Sequence, residues 1–160
     1  MKENKGCCFL GHRKIDITCE MRKKLHNIVE KMIVNDNIDT FFFGSKSEFD
    51  EFCYDVVSNL KIKYPHIKRI YVRAQFPVIS DDYRDYLLQT YEHTYYPENI
   101  INSGKASYVE RNFEMINRSK ICIMYFDKNY NSSYKGKSGT KIAYDYAFKR
   151  GKRIINIFEM

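Results

Sequence analysis

A chain of 160 residues with 44% apolar side chains holds enough material for one domain with a real core, and too little for two. Its longest apolar run, Ile121 to Phe126, is far short of a bilayer span, and no secretory leader precedes the first strand, so no membrane association and a cytoplasmic location are expected. The net charge of +7 suits an anionic partner, but the one run of three basic residues, Arg22-Lys23-Lys24, reads as a solvated helix face and not as a nucleic-acid arm.

Taken in chain order, the elements begin with a buried strand over 7–10. Met21, Leu25, Ile28, Val29, Met32 and Ile33 then mark the apolar stripe of a helix, with Thr18 as its N-cap. A second strand over 40–43 leads to Ser45-Lys46-Ser47-Glu48, a capping-box pattern with Ser45 at the N-cap. The helix it opens carries Phe49, Phe52, Cys53, Val56, Val57 and Leu60 at spacings of three and four. A third strand covers 69–72 and a short helix 81–89, while 91–95 reads either as a sixth strand or as loop. Ser107-Tyr108-Val109-Glu110 resembles a second capping box, opening a helix that runs to about Asn117. A fourth strand over 120–126, a helix over 141–149 with Ala143, Tyr146 and Ala147 facing inward, and a fifth strand over 153–158 complete the chain.

Short, nearly continuous apolar strands alternating with amphipathic helices define an α/β chain. The expected architecture is a Rossmann-like three-layer sandwich, with a mainly parallel sheet of five to six strands and helices on both faces. No repeat or linker divides it, so residues 1–160 form one domain. Right-handed crossovers then set the strand C-terminal ends along one edge, where such sheets bind ligands. Cys7, Cys8, Cys19, Cys53 and Cys122 are odd in number and contain no C-x-x-C pair, so reduced, largely buried thiols are expected. No histidine stands at ligand spacing from another histidine or a cysteine pair. No zinc site, and no cofactor, is expected.

Three glycine-bearing corners fall at strand ends. In Gly11-His12-Arg13 the glycine permits close backbone approach, and His12 and Arg13 supply side-chain donors, Arg13 with two parallel hydrogen bonds to a phosphate. The alternative is a plain turn whose Arg13 pairs with a surface carboxylate. Gly44-Ser45 opens the second helix, whose Phe49 and Asp50 follow; Asp50 is within reach of a ribose hydroxyl or a base edge. Gly136-Lys137-Ser138-Gly139-Thr140 is not a P-loop, since both order and spacing differ. It reads as a phosphate-binding turn without a magnesium ligand, with amides of Ser138, Gly139 and Thr140 at a helix N-terminus and Lys135, Lys137 and Lys141 around it. Arg111 and Asn112 fall in the first turn of their helix. Asp127 follows the fourth strand, either as a ligand contact or as a cap on the loop. Tyr108 offers a stacking face. These residues make up no complete catalytic set, and no catalytic residue is assigned.

Taken together, Cys-Cys-Phe-Leu-Gly-His-Arg at the first strand end, Gly44 through Phe49-Asp50, Tyr108-Val109-Glu110-Arg111-Asn112-Phe113-Glu114-Met115-Ile116 and Ser138-Gly139-Thr140 with Ala143 and Ala147 resemble a known pattern. It is that of the SLOG superfamily, Rossmann-like domains related to DprA and to the LOG cytokinin-activating enzymes. Within it the likeness is to the small bacterial and phage proteins with a Gly-His-Arg motif, of the YspA, YpsA and YoqJ type. The resemblance implies a Rossmann-like fold, self-association as a dimer or higher homo-oligomer, and recognition of nucleotides or nucleotide-derived molecules. LOG enzymes cleave the bond between base and ribose 5′-phosphate with an Arg and the Glu of a P-G-G-x-G-T-x-x-E motif. Here that Glu position holds Ala143, so hydrolysis would need Asp50, Asp127 or Asp145 in its place. The expected function is therefore binding or sensing of a nucleotide-derived small molecule through phosphate-binding turns. A LOG-like phosphoribohydrolase or transferase is the alternative, and DprA-like single-stranded nucleic-acid binding ranks behind it.

Overall fold

The structure is a computed structural model and describes residues 3–44, 47–129 and 139–160. Six strands, β1 (Gly6–Gly11), β2 (Thr40–Phe43), β3 (Lys68–Val72), β4 (His93–Tyr95), β5 (Ile121–Tyr125) and β6 (Arg153–Asn156), form one sheet. Their order is β4-β3-β2-β1-β5-β6, and every pairing is parallel. Five helices connect them: α1 (Cys19–Asn35), α2 (Glu48–Lys63), α3 (Asp81–Leu87), α4 (Lys105–Asn117) and α5 (Gly139–Lys149). This is the expected three-layer Rossmann-like sandwich.

Alternation along the central strands divides the core in two. Cys7, Phe9, Phe41 and Phe43 point to the layer of α1 and α2, where they meet Leu25, Val29, Phe49, Phe52 and Val57. Cys8, Leu10, Phe42, Cys122 and Met124 point the other way, toward Met115 and Ile116 of α4 and Ala143 and Ala147 of α5. Phe9 stacks on Phe43 at 5.1 Å between ring centroids, which fills the first layer without tryptophan. All five cysteines are free thiols; four are buried, and Cys19 is exposed. No helix among the described residues is long and apolar enough to cross a membrane.

Thr18 caps α1 as expected, its Oγ1 accepting from Met21 N at 3.0 Å. Other boundaries moved, for local reasons. Ser47, not Ser45, is the N-cap of α2: it adopts an extended backbone, and its Oγ accepts from Asp50 N at 3.1 Å. Ser45 lies outside the described residues. Helix α4 starts at Lys105, after Gly104 at φ +70°, so Ser107 sits inside it and Arg111 and Asn112 fall in its second turn. The Glu110 carboxylate is why the capping box fails. It accepts from Ile101 N at 2.9 Å and Asn102 N at 3.3 Å, upstream of the helix. Segment 91–95 does contain a sixth strand, β4, of three residues on the sheet edge. The last strand stops at Asn156 and gives way to a 3₁₀ turn, Ile157–Glu159, because the Asn156 amide bonds Phe126 N and O as a strand backbone would.

Two strand ends are shaped by missing side chains. Gly11 and Gly44 have ordinary negative φ, so neither needs glycine for its backbone angle. A Cβ at Gly11 would press into the Phe49 ring, well inside van der Waals contact, and one at Gly44 would lie 2.9 Å from Arg111 Cδ and from Met115 Sδ. Gly11→Ala is therefore expected to lower stability by about 1–3 kcal/mol in urea denaturation, as overpacking does. The double variant with Phe49→Leu should recover part of that loss, giving a non-additive cycle.

Candidate functional site

Parallel pairing aligns the C-terminal ends of β2, β1 and β5 on one rim, with Gly11 opposite Tyr125. His12 lies buried there. Its Nε2 accepts from Asp127 N at 2.9 Å, and its ring meets Tyr125 edge-on at 6.1 Å. The sequence reading made His12 a donor; at Nε2 it is an acceptor, because the neighbouring loop presents an N–H. Burial lowers the His12 pKa, and the Asp127 contact partly offsets this. Asp127 also closes its own loop, Oδ1 accepting from Asn129 N at 2.9 Å. Arg13 holds an exposed guanidinium that pairs with no carboxylate among the described residues.

The Gly44 corner offers few main-chain donors. Glu48 N donates to Arg13 O at 2.8 Å, Asp50 N to Ser47 Oγ, and Glu51 N to Ser47 O at 3.1 Å. Glu48, Asp50 and Glu51 further neutralise that helix end. What the corner contributes instead is a charge cluster. Arg111 is 5% exposed, and its Nη1 donates to Gly44 O at 2.6 Å. Nε and Nη2 of Arg111 donate to Asn112 Oδ1 at 3.3 and 3.2 Å, and the guanidinium lies 5.3 Å above the Tyr108 ring. The side chain passes where a Cβ of residue 44 would be. Burial pulls the Arg111 pKa down, and nearby Tyr71 and Asp50 only partly offset this.

Asp50 is buried on the first turn of α2, and its charge helps push up the Tyr71 and Tyr91 hydroxyls, which burial raises most. Beside it an open hollow of about 210 Å³ is lined by Asp50, Glu51, Tyr54, Asp55 and Tyr91. Helix α5 begins at Gly139, with open space around its Cα, and buried Thr140; it has no acidic residue in its first turn. Ser138 and the rest of the Gly136–Ser138 turn lie outside the described residues. Ala143 is buried among Cys8, Leu10 and Met124, so no carboxylate stands at the position where LOG enzymes carry Glu. Among the described residues no three His, Cys, Asp or Glu side chains gather as a metal would require.

The structure thus brings Gly11, His12, Arg13 and Asp127 together at the β1–β5 end, and Gly44, Asp50, Arg111 and Asn112 at the β2 end, with Phe49 packed over Gly11. Sequence reasoning missed the end of β3. Arg73 follows that strand directly, is buried, and has its pKa lowered by that burial. The strand-end rule applied to Asp127 would have found it.

No family model matches the chain, and no curated protein sequence does either. Among solved structures the Rossmann-like fold has a similar neighbour. DNA processing protein A from Helicobacter pylori, described for its single-stranded DNA binding mode, matches with a TM-score of 0.57 at 15% identity. The match covers 94% of this chain and 64% of that one, so the chain spans less than two thirds of its neighbour's length.

His12 gives this site a pH signature. The unfolded chain binds a proton near pH 6.5 that the folded protein takes up only at lower pH. The stabilisation is therefore complete above about pH 6.5 and is lost as pH falls from there through the folded value. Urea midpoints between pH 7.5 and 5.5 should fall more steeply for the wild type than for His12→Gln, whose amide oxygen can still accept from Asp127 N.

Proposed function

We infer that the whole chain acts as one binding domain for a nucleotide-derived ligand, seated on the rim at the ends of β1, β2 and β5. The observation that carries this reading is Arg111. A guanidinium buried at the sheet end and held by Gly44 O and Asn112 is desolvated and oriented before any ligand arrives. Arg13, exposed and unpaired with any described carboxylate, and the amides at the start of α5 would take phosphate. Asp50, beside the tyrosine-lined hollow, would take a ribose hydroxyl or a base edge. The Gly-His-Arg corner and the Arg-Asn helix support placing the chain with the small SLOG-type proteins. Buried free thiols support a cytoplasmic setting. Self-association would use the outer face of α5, where Phe148 is exposed.

Two observations favour other readings. Asp50, buried on the first turn of α2 beside an open hollow, is a carboxylate available for glycosidic chemistry, which chromatographic detection of free base from nucleoside monophosphates would reveal. The fold shared with a single-stranded DNA binder, together with the +7 charge, favours DNA, for which retardation should weaken steeply with salt.

The direct test is thermal melting with a panel of nucleotides and signalling dinucleotides. A ligand at about 100 times its Kd adds roughly 2.7 kcal/mol, a Tm rise of about 5–10 °C for a domain of this size. Arg13→Ala and Thr140→Ala should each weaken binding by about tenfold or more. Ligand shifts left unchanged by both variants would overturn the site.

A further inference from the structure

We propose that the end of β3 is a second nucleotide subsite, with Arg73 against a phosphate and Phe76 stacked on a base, so that the ligand is phosphodiester-linked and longer than one nucleotide. This rests on the reading above and extends it one strand toward the sheet edge.

Arg73 is only 9% exposed, and its hydrogen bonds go to neutral oxygens: Nε donates to Phe76 O at 3.3 Å and Nη1 to Thr94 Oγ1 at 3.2 Å. No described carboxylate forms an ion pair with it, and burial disfavours its charge. A sequestered guanidinium without a counter-anion is costly, and an anionic ligand would supply the missing charge. Arg69, four residues earlier, shows the ordinary arrangement, with Nη2 on Glu92 at 2.8 Å.

The same arginine holds an unusual turn. Phe76 has φ +61°, a region a bulky side chain rarely enters, yet the residue is 61% exposed and gains little from packing. Pro77 follows it, and Val78 is 88% exposed. An open hollow of about 210 Å³ is lined by Phe76, Val78, Ile79, Ser80 and Tyr83. An apolar ring over a hollow, beside an uncompensated cation, complements a base and its phosphate.

The two subsites are joined. Gln75 Nε2 donates to Tyr108 Oη at 2.6 Å, and the Tyr108 ring lies beneath Arg111. Strands β2 and β3 are neighbours in the sheet, about 5 Å apart, so one phosphodiester-linked ligand can reach from the Arg111 end to Arg73.

Calorimetric titration of the four deoxynucleoside 5′-monophosphates and of the matching 5′-phosphorylated dinucleotides tests this. For the wild type, the second nucleotide should tighten binding about tenfold or more. Phe76→Ala and Arg73→Gln should abolish that gain while mononucleotide affinity stays within about twofold. Phe76→Tyr should restore it, and Phe76→Gly, which relieves the backbone, should lose it without any fall in Tm. A wild type that binds mononucleotides and gains nothing from the second overturns the subsite alone. So does a Phe76→Ala variant that weakens both ligands equally, or one that changes only the oligomeric state. No binding of either probe overturns the subsite together with the function it rests on.

Discussion

The geometry of the rim depends on two places where a side chain is absent. At the end of β1 the space beside Gly11 is filled by the ring of Phe49, which belongs to the α1–α2 layer. At the end of β2 the space beside Gly44 is filled by Arg111 and Met115, which belong to the opposite layer. Side chains from both faces thus pass the end of the sheet, where methyl groups would keep them apart. Phe49 packed against Gly11 sets the start of α2, where Asp50 follows, and the gap at Gly44 lets the Arg111 side chain reach Gly44 O.

Electrostatics then separates the corners from one another. The first turn of α2 gives its amides to Arg13 O and Ser47 and carries acidic residues, so its dipole is already answered. The first turn of α5 carries no acid. Positive potential on the rim therefore comes from α5 and from three arginines in different states. Arg13 is hydrated, while Arg111 and Arg73 are buried and held by neutral oxygens. A surface lysine must shed water and lose rotamer freedom when it meets an anion; a buried guanidinium with fixed hydrogen bonds has already done both during folding.

Much of this could be read from the residues because strands buried on both faces must be apolar in unbroken runs. The sheet, its parallel sense and the stripes of α1 and α2 follow from that requirement. Capping was legible only where one candidate existed. Thr18 stood alone before α1, whereas two serines two residues apart competed before α2, and the Oγ bond to Asp50 N decided for Ser47. Glu110 matched a capping box in spacing, but its carboxylate found the exposed amides of Ile101 and Asn102, a tertiary contact that spacing does not encode. In sequence Gly11 reads as room for a ligand to approach the backbone, yet Gly11 and Gly44 both admit side chains that are distant in sequence. Arg73 has no such sequence mark, because β3 ends without a glycine corner.

Topology explains why the charges sit where they do. The chain walks outward from β1 to β4, then returns through α4 to start β5 on the other side of β1. A sheet that reverses in this way opens a crevice at the reversal, between the ends of β1 and β5. Here His12 crosses that crevice and accepts from Asp127 N, so its floor is closed and only Arg13 and the start of α5 stand at its lips. The return helix has to pass from the β4 edge back across the sheet, and its second turn lies over Gly44. That path delivers Arg111 to the end of β2 and aligns Tyr108 with Gln75 at the end of β3. The charged surface is thereby displaced from the reversal toward β2 and β3, and it becomes a track along several strand ends in place of a single pit. Under the binding proposed above, a track of this kind would suit a ligand with more than one phosphate better than a lone nucleotide.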